Sequence, residues 1–250
     1  MTKPAIIAHT HPRFWLVLPL FITIVGITII LLTRYVAYIY HPEVFSHSLP
    51  TISKTASLDV ATQLFAYTMP IIAACVLLAY FLGFLATKER IVTLANKTLA
   101  PKLHMLNRIT LTLGTTSAIA LALLAIVSLE DNNDWHIYFS YIFFISQVLS
   151  FAFDSSVLLK LRKHVGEDRE KHGLGFDLRP WLSIALIVNA CFFYFMYLYK
   201  NDPLLVDFAL TRPIYVGSEY LSVFIGLSYA TAYRTEFRHY INKLFGTSYK

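Results

Sequence analysis

Six apolar runs constrain this chain more than any other feature. They extend over about 14–32, 64–86, 109–129, 136–159, 181–199 and 214–233. A hydrocarbon core about 30 Å thick is crossed by roughly 20 helical residues at 1.5 Å rise each, and every run has about that length. Their apolar character is all-round rather than striped, which lipid contact selects and a soluble amphipathic helix lacks. Hydrophobic residues make up 56% of the chain, charged residues only 14%, and mean hydropathy is +0.57. A soluble domain carries roughly 25% charged residues, so this chain has too few to cover a water-facing surface. The expected fold is all-α: a polytopic membrane protein, one six-helix bundle forming a single integral domain over residues 1–250.

Basic residues orient the bundle. The N-terminal arm, the second and fourth connections and the C-terminal tail hold 17 of the 21 Lys and Arg residues; only Arg34, Lys54, Lys200 and Arg212 lie on the other side. Positive charge is retained on the cytosolic side, which predicts cytosolic N- and C-termini. The formal charge of +6 then reports topology, and no nucleic-acid partner is required to explain it. The first run is too long, and lacks the small-residue site, for a removable signal peptide; a retained first span is expected. Asn96-Lys97-Thr98 is a glycosylation sequon placed in a cytosolic connection. Asn96 is therefore expected to stay unmodified, and a glycosidase-sensitive mass shift that vanishes in Asn96→Gln would reverse the orientation. Aromatic residues mark many run ends, among them Trp15, Tyr35, Trp135, Trp181 and Tyr233, as in a headgroup-level belt.

Polar groups inside apolar runs carry the chemistry, because each is costly in lipid. Glu219 lies five residues into the sixth run, roughly 8 Å along a helix, on the non-cytosolic side. His136 opens the fourth run on that same side, behind the acidic stretch Glu130-Asp131-Asn132-Asn133-Asp134. A His–carboxylate pair at one depth suits proton transfer or headgroup binding. The blander readings are an interhelical hydrogen bond or an Arg212 pair for Glu219, and a helix-start cap for His136. Asp154 suggests a pairing with Lys160 or Arg162; Gln147, Ser150 and Asn189 suggest interhelical bonds. Cys75 and Cys191 read as buried apolar thiols, with neither disulfide framework, metal pattern nor cofactor motif. Gly114, Ala118 and Ala122 make a smooth face for close helix approach, and Pro70 predicts a kink. His172 and Asp177 form an H-x4-D pattern, which coincidence explains better than acyl transfer. The longest outer connection, Tyr35 to Gln63, is expected to act as a lid.

That connection contains Leu49-Pro50-Thr51-Ile52-Ser53, which resembles the LP-x-[I/V]-S signature of the Frag/DRAM/Sfk membrane family, a family that also includes the N-terminal part of Cwh-type proteins. Leu106-Asn107, Ser128-Leu129-Glu130-Asp131 with His136, Ser218-Glu219-Tyr220 and Phe237 follow in the family's order, from about residue 14 to 240. The pattern is most similar to the branch of post-GPI-attachment factors. That resemblance implies six spans, residence in the Golgi or endoplasmic reticulum, and a part in replacing the sn-2 fatty acid of GPI anchors. The protein would be the acyltransferase or an accessory of one, with GPI lipid and an acyl donor as partners. His136 and Glu219 would be catalytic; Pro50, Ser53, Asp131 and Arg212 would serve the headgroup or lid. Ser150 stands where that branch has a histidine, and the branch's luminal cysteines are absent here. The other reading is a non-enzymatic regulator resembling the DRAM and Sfk branches, acting in autophagy or phospholipid organisation at the lysosome or plasma membrane.

Overall fold

The computed structural model describes residues 11–47, 49–163, 173–199 and 208–246. Long helices account for all six apolar runs: α1 (Pro12–Tyr40), α4 (Asp59–Leu94), α5 (Ala100–Ile126), α6 (Asn133–Arg162), α7 (Gly173–Tyr199) and α8 (Phe208–Ala232). Two short helices, α2 (Pro42–His47) and α3 (Ile52–Ala56), lie in the first connection, and α9 (Arg234–Phe245) follows α8. Local chemistry sets the boundaries. The Asn132 side chain caps α6 by accepting from the Trp135 N–H, and Asp134 in the first turn and Lys160 and Arg162 in the last complement the helix dipole. Thr51 caps α3 through the Lys54 N–H. Gly246 ends α9 at φ 64°, a left-handed conformation that glycine adopts without a Cβ penalty.

Among the described residues, five helices are long and apolar enough to cross a membrane: α1, α4, α5, α6 and the 178–198 part of α7. The sixth run is helical as expected, but α8 falls outside that group. Ser218, Glu219, Ser222 and Ser228 dilute its apolar character, and the first three of these are buried.

The long helices pack as a ring in chain order. α1 packs on α4, α4 on α5, α5 on α6, α6 on α7 and α7 on α8, and α8 returns to α1. The closing seam is polar. The Thr23 hydroxyl donates to the Leu227 carbonyl at 2.7 Å and pairs with the Thr231 hydroxyl at 2.7 Å. The antiparallel ring has two ends. The terminal end carries the start of α1, the turn 95–99, the end of α6 and α9; the strap end carries α2, α3 and the turn 127–132.

Side chains fill the ring. Phe151 stacks on Tyr229 with centroids 3.6 Å apart, and Gly114 lies directly against the Tyr80 ring. A Cβ at Gly114 would overlap that ring, so the small-residue face serves the approach of α4 to α5. Gly114→Val should destabilise the bundle by about 1–3 kcal/mol, measured as a lower melting temperature in detergent. Ser150 donates to the Thr110 carbonyl and Asn189 to Ser218 and Ser222, both interhelical as their types suggested, and Asn107 donates to the Phe84 carbonyl.

Several expectations need correction. Trp15 and Tyr233 are not belt residues; both are buried in the core, whereas Tyr35, Trp135 and Trp181 face outward. Cys191 faces outward and Cys75 is half-buried, because an all-apolar helix has no unique inner face to read. His136 is not the cap of α6, a role Asn132 fills. His172 and the Asp177 side chain lie outside the described residues.

Asp154 is held across the ring rather than by Lys160 or Arg162. Its Oδ2 accepts from an Arg179 terminal nitrogen at 3.0 Å and from the Tyr229 hydroxyl at 2.7 Å. The other terminal nitrogen of Arg179 donates to Glu236 Oε1 at 2.8 Å, which also accepts from Arg90 at 3.3 Å. The Arg179 guanidinium lies 3.9 Å from the Tyr233 ring centroid. Lys243 pairs with Glu89 beside this network. Together with buried Phe237, Tyr240 and Ile241, these contacts fasten α9 across the terminal end.

Candidate functional site

The strap end encloses a cavity of about 410 Å³. His136 from α6 and Glu219 from α8 line it together, with Ser53 and Lys54 from α3 and Arg212 and Tyr215 from α8. Phe144, Phe193 and Tyr197 complete an aromatic wall in which Phe193 stacks on Tyr215 at 5.0 Å. A second, narrower pocket of about 30 Å³ shares Ser53, His136, Phe144 and Glu219 and continues between Phe65, Met69, Leu121 and Leu124. The site is therefore polar at its mouth and apolar in its depth, with His136 and Glu219 at the passage between the two.

His136 is only 4% exposed, and its state is set by the turn before α6. Its Nδ1 lies 2.6 Å from the Val127 carbonyl. A carbonyl only accepts, so Nδ1 carries the hydrogen and a neutral ring presents its lone pair at Nε2. Nε2 is buried and has no hydrogen-bond partner. Ser128 shapes that turn: its hydroxyl donates to Asp131 Oδ2 at 2.7 Å and accepts from the Asp131 N–H at 3.1 Å. Asp131 thus stands behind the cavity wall, in the turn that orients His136.

Glu219 is equally well placed. Its Oε2 accepts from the Ile52 N–H at 3.0 Å, so the carboxylate is tied to the first N–H of α3. The strap Leu49–Ser53 is held at two more points. An Arg34 terminal nitrogen donates to the Pro50 carbonyl at 3.1 Å and to the Tyr220 hydroxyl at 2.8 Å, and Arg212 Nε reaches the Leu49 carbonyl at 3.4 Å. Arg34 also lies 5.3 Å from the Phe45 ring centroid and 5.1 Å from that of Tyr220. Lys54 bridges to Glu130 at 3.2 Å, linking the strap to the turn before α6. Pro50 is a buried residue of the strap, while Ser53 and Arg212 face the cavity.

Sequence reasoning missed Arg34, Lys54 and the tyrosine wall. Arg34 counted only as one of four outer charges, although an arginine that continues an apolar helix is itself a signal. No group of His, Cys, Asp and Glu among the described residues is arranged to hold a metal ion.

The strap, its Pro50 and Ser53, and the buried Glu219 of α8 are the positions on which the family resemblance was read, and here they form one structure. The Frag1/DRAM/Sfk1/Cwh43P N-terminal domain family matches residues 14–240. The chain belongs to that family. The match covers every long helix and most of α9, so in this Frag1/DRAM/Sfk1 protein the family region contains the ring, the strap cavity and the terminal ion network. No curated protein and no solved structure matches the chain.

Proposed function

We propose that this Frag1/DRAM/Sfk1 protein is a six-span lipid-remodelling protein of the endoplasmic reticulum or Golgi. In this reading both termini are cytosolic and the strap cavity opens to the lumen, where lyso-GPI is reacylated at sn-2. The unpartnered Nε2 of a tautomer-fixed histidine, opposite a buried carboxylate, carries the reading. A lyso-lipid has the same two parts as the site. Its charged headgroup suits Lys54, Arg212 and the tyrosine wall, and its chain suits the apolar pocket beneath. Nε2 of His136 would take the proton of the glycerol hydroxyl as that oxygen attacks the acyl carbonyl, and the departing group of the donor would take it back. Glu219 would stabilise the transient imidazolium while the strap excludes water.

The test is mass spectrometry of GPI lipids in cells lacking the protein and re-expressing it. His136→Ala and Glu219→Gln should each leave the bundle folded and reduce remodelled lipid at least about a hundredfold, the usual scale for losing a general base. Glu219→Gln is informative because its amide oxygen still accepts from Ile52, so only charge is removed. Normal remodelling in both variants defeats the proposal.

A further inference from the structure

The terminal end holds a second cavity of about 420 Å³, as large as the strap cavity and remote from His136 and Glu219. It opens at the outer side of the ring where α1, α7, α8 and α9 meet. Leu178 and Leu182 of α7 form one wall; Ser228 and Thr231 of α8 and Thr235 of α9 place hydroxyls on the other, and Arg234 stands at its edge. Arg234 is exposed, and among the described residues it makes no ion pair or hydrogen bond. This contrasts with Arg90 and Arg179, which the buried carboxylates neutralise.

A second observation gives the sign of the occupant. Helix α9 buries Glu236, Phe237, Tyr240 and Ile241 against the ring, so its acidic side chain is internal. Arg234 and His239 remain exposed and Arg238 partly so, which leaves α9 a basic outer face beside an apolar groove. A surface helix of this kind, apolar inward and basic outward, lies at the bilayer boundary and attracts anionic headgroups.

We infer that this groove binds one anionic glycerophospholipid from the leaflet at the terminal end. The Arg234 guanidinium takes the phosphate, the hydroxyls of Ser228 and Thr235 take glycerol and ester oxygens, and an acyl chain follows Leu178 and Leu182. Arginine suits this position because its planar fork matches phosphate oxygens two at a time.

Native mass spectrometry of the full chain, released from nanodiscs of mixed phosphatidylserine and phosphatidylcholine, tests the inference. Wild type should retain phosphatidylserine in preference to phosphatidylcholine. Arg234→Gln should lower that retention about fivefold or more, the effect of one basic residue near an anionic surface. Thr235→Leu, which narrows the groove and keeps every charge, should lower it as well. Arg238→Gln removes a neighbouring charge outside the groove and should lower it clearly less than Arg234→Gln does. All four chains should show the same melting temperature, since no substituted side chain supports the core. Equal retention of both lipids by wild type overturns the proposal. So does full retention by Arg234→Gln or Thr235→Leu, or a loss in Arg238→Gln as large as in Arg234→Gln, which would reduce the effect to general surface charge.

Discussion

Replacing Arg179 by methionine should destabilise the protein by about 3–5 kcal/mol, the largest single effect expected of any charged residue in the chain. Methionine matches the volume but leaves Asp154 and Glu236, each 2% exposed, without their shared counter-charge. The Tyr229 hydroxyl would still donate to Asp154, and Arg90 to Glu236, so the cost is incomplete pairing rather than complete isolation. Lysine should rescue little. Arg179 reaches the two carboxylates through different terminal nitrogens, and one ammonium on a flexible stem cannot hold that fork. Adding Asp154→Asn to Arg179→Met should recover part of the loss, because one buried charge is removed with its partner. Thermal unfolding of the detergent-solubilised chain followed by size exclusion measures all three variants. A melting temperature unchanged in Arg179→Met would show that the network contributes nothing to stability.

The second large effect belongs to Arg34, and it should appear in function more than in stability. Arg34→Met removes the hydrogen bond that ties the strap to α1 and the one that joins α1 to Tyr220 of α8, together with the contacts to Phe45 and Tyr220. Hydrogen bonds from a charged donor contribute about 1.5–3 kcal/mol. With about 2 kcal/mol lost locally, the Ile52 amide that donates to Glu219 should exchange roughly thirtyfold faster. Amides deep in α5 and α6 should be unaffected, since the strap is a local unit on a ring that packs without it. In the GPI-lipid assay, Arg34→Met should behave like Glu219→Gln, although Arg34 does not line the cavity. Slow exchange at Ile52 in the variant would mean that the strap is held by other contacts.

The helices were legible because a bilayer demands long apolar runs, and each predicted span lies within a helix or runs at most three residues past its end. What the runs could not reveal is where helices end, since helical structure continues into charged sequence wherever ion pairs compensate. Arg179 illustrates the point. It reads as a loop charge before Trp181, yet it sits inside α7, which begins at Gly173. Its partners, Asp154 and Glu236, are 25 and 57 residues away, and no local pattern encodes pairings of that range. His136 and Glu219 were legible as a pair because both are polar residues near the outer ends of the fourth and sixth apolar runs. The orientation of His136 was not, because it depends on the Val127 carbonyl in a turn shaped by Ser128 and Asp131. Arg212 was expected near Glu219 and does share its cavity, while the carboxylate accepts from the Ile52 backbone N–H, a contact that residue types alone do not announce.

The closed ring in chain order has a consequence for how the protein can be rewired. α1 begins, and α9 ends, at the same end of the bundle as the turn 95–99 between α4 and α5. A circular permutant opened in that turn, with α9 joined through a flexible linker to α1, would keep every helix direction and every neighbour in the ring. No helix in such an architecture is intrinsically first or last. The order of insertion is a property of where the chain happens to be cut, while the seam of Thr23, Leu227 and Thr231 turns from the last contact made into one made midway.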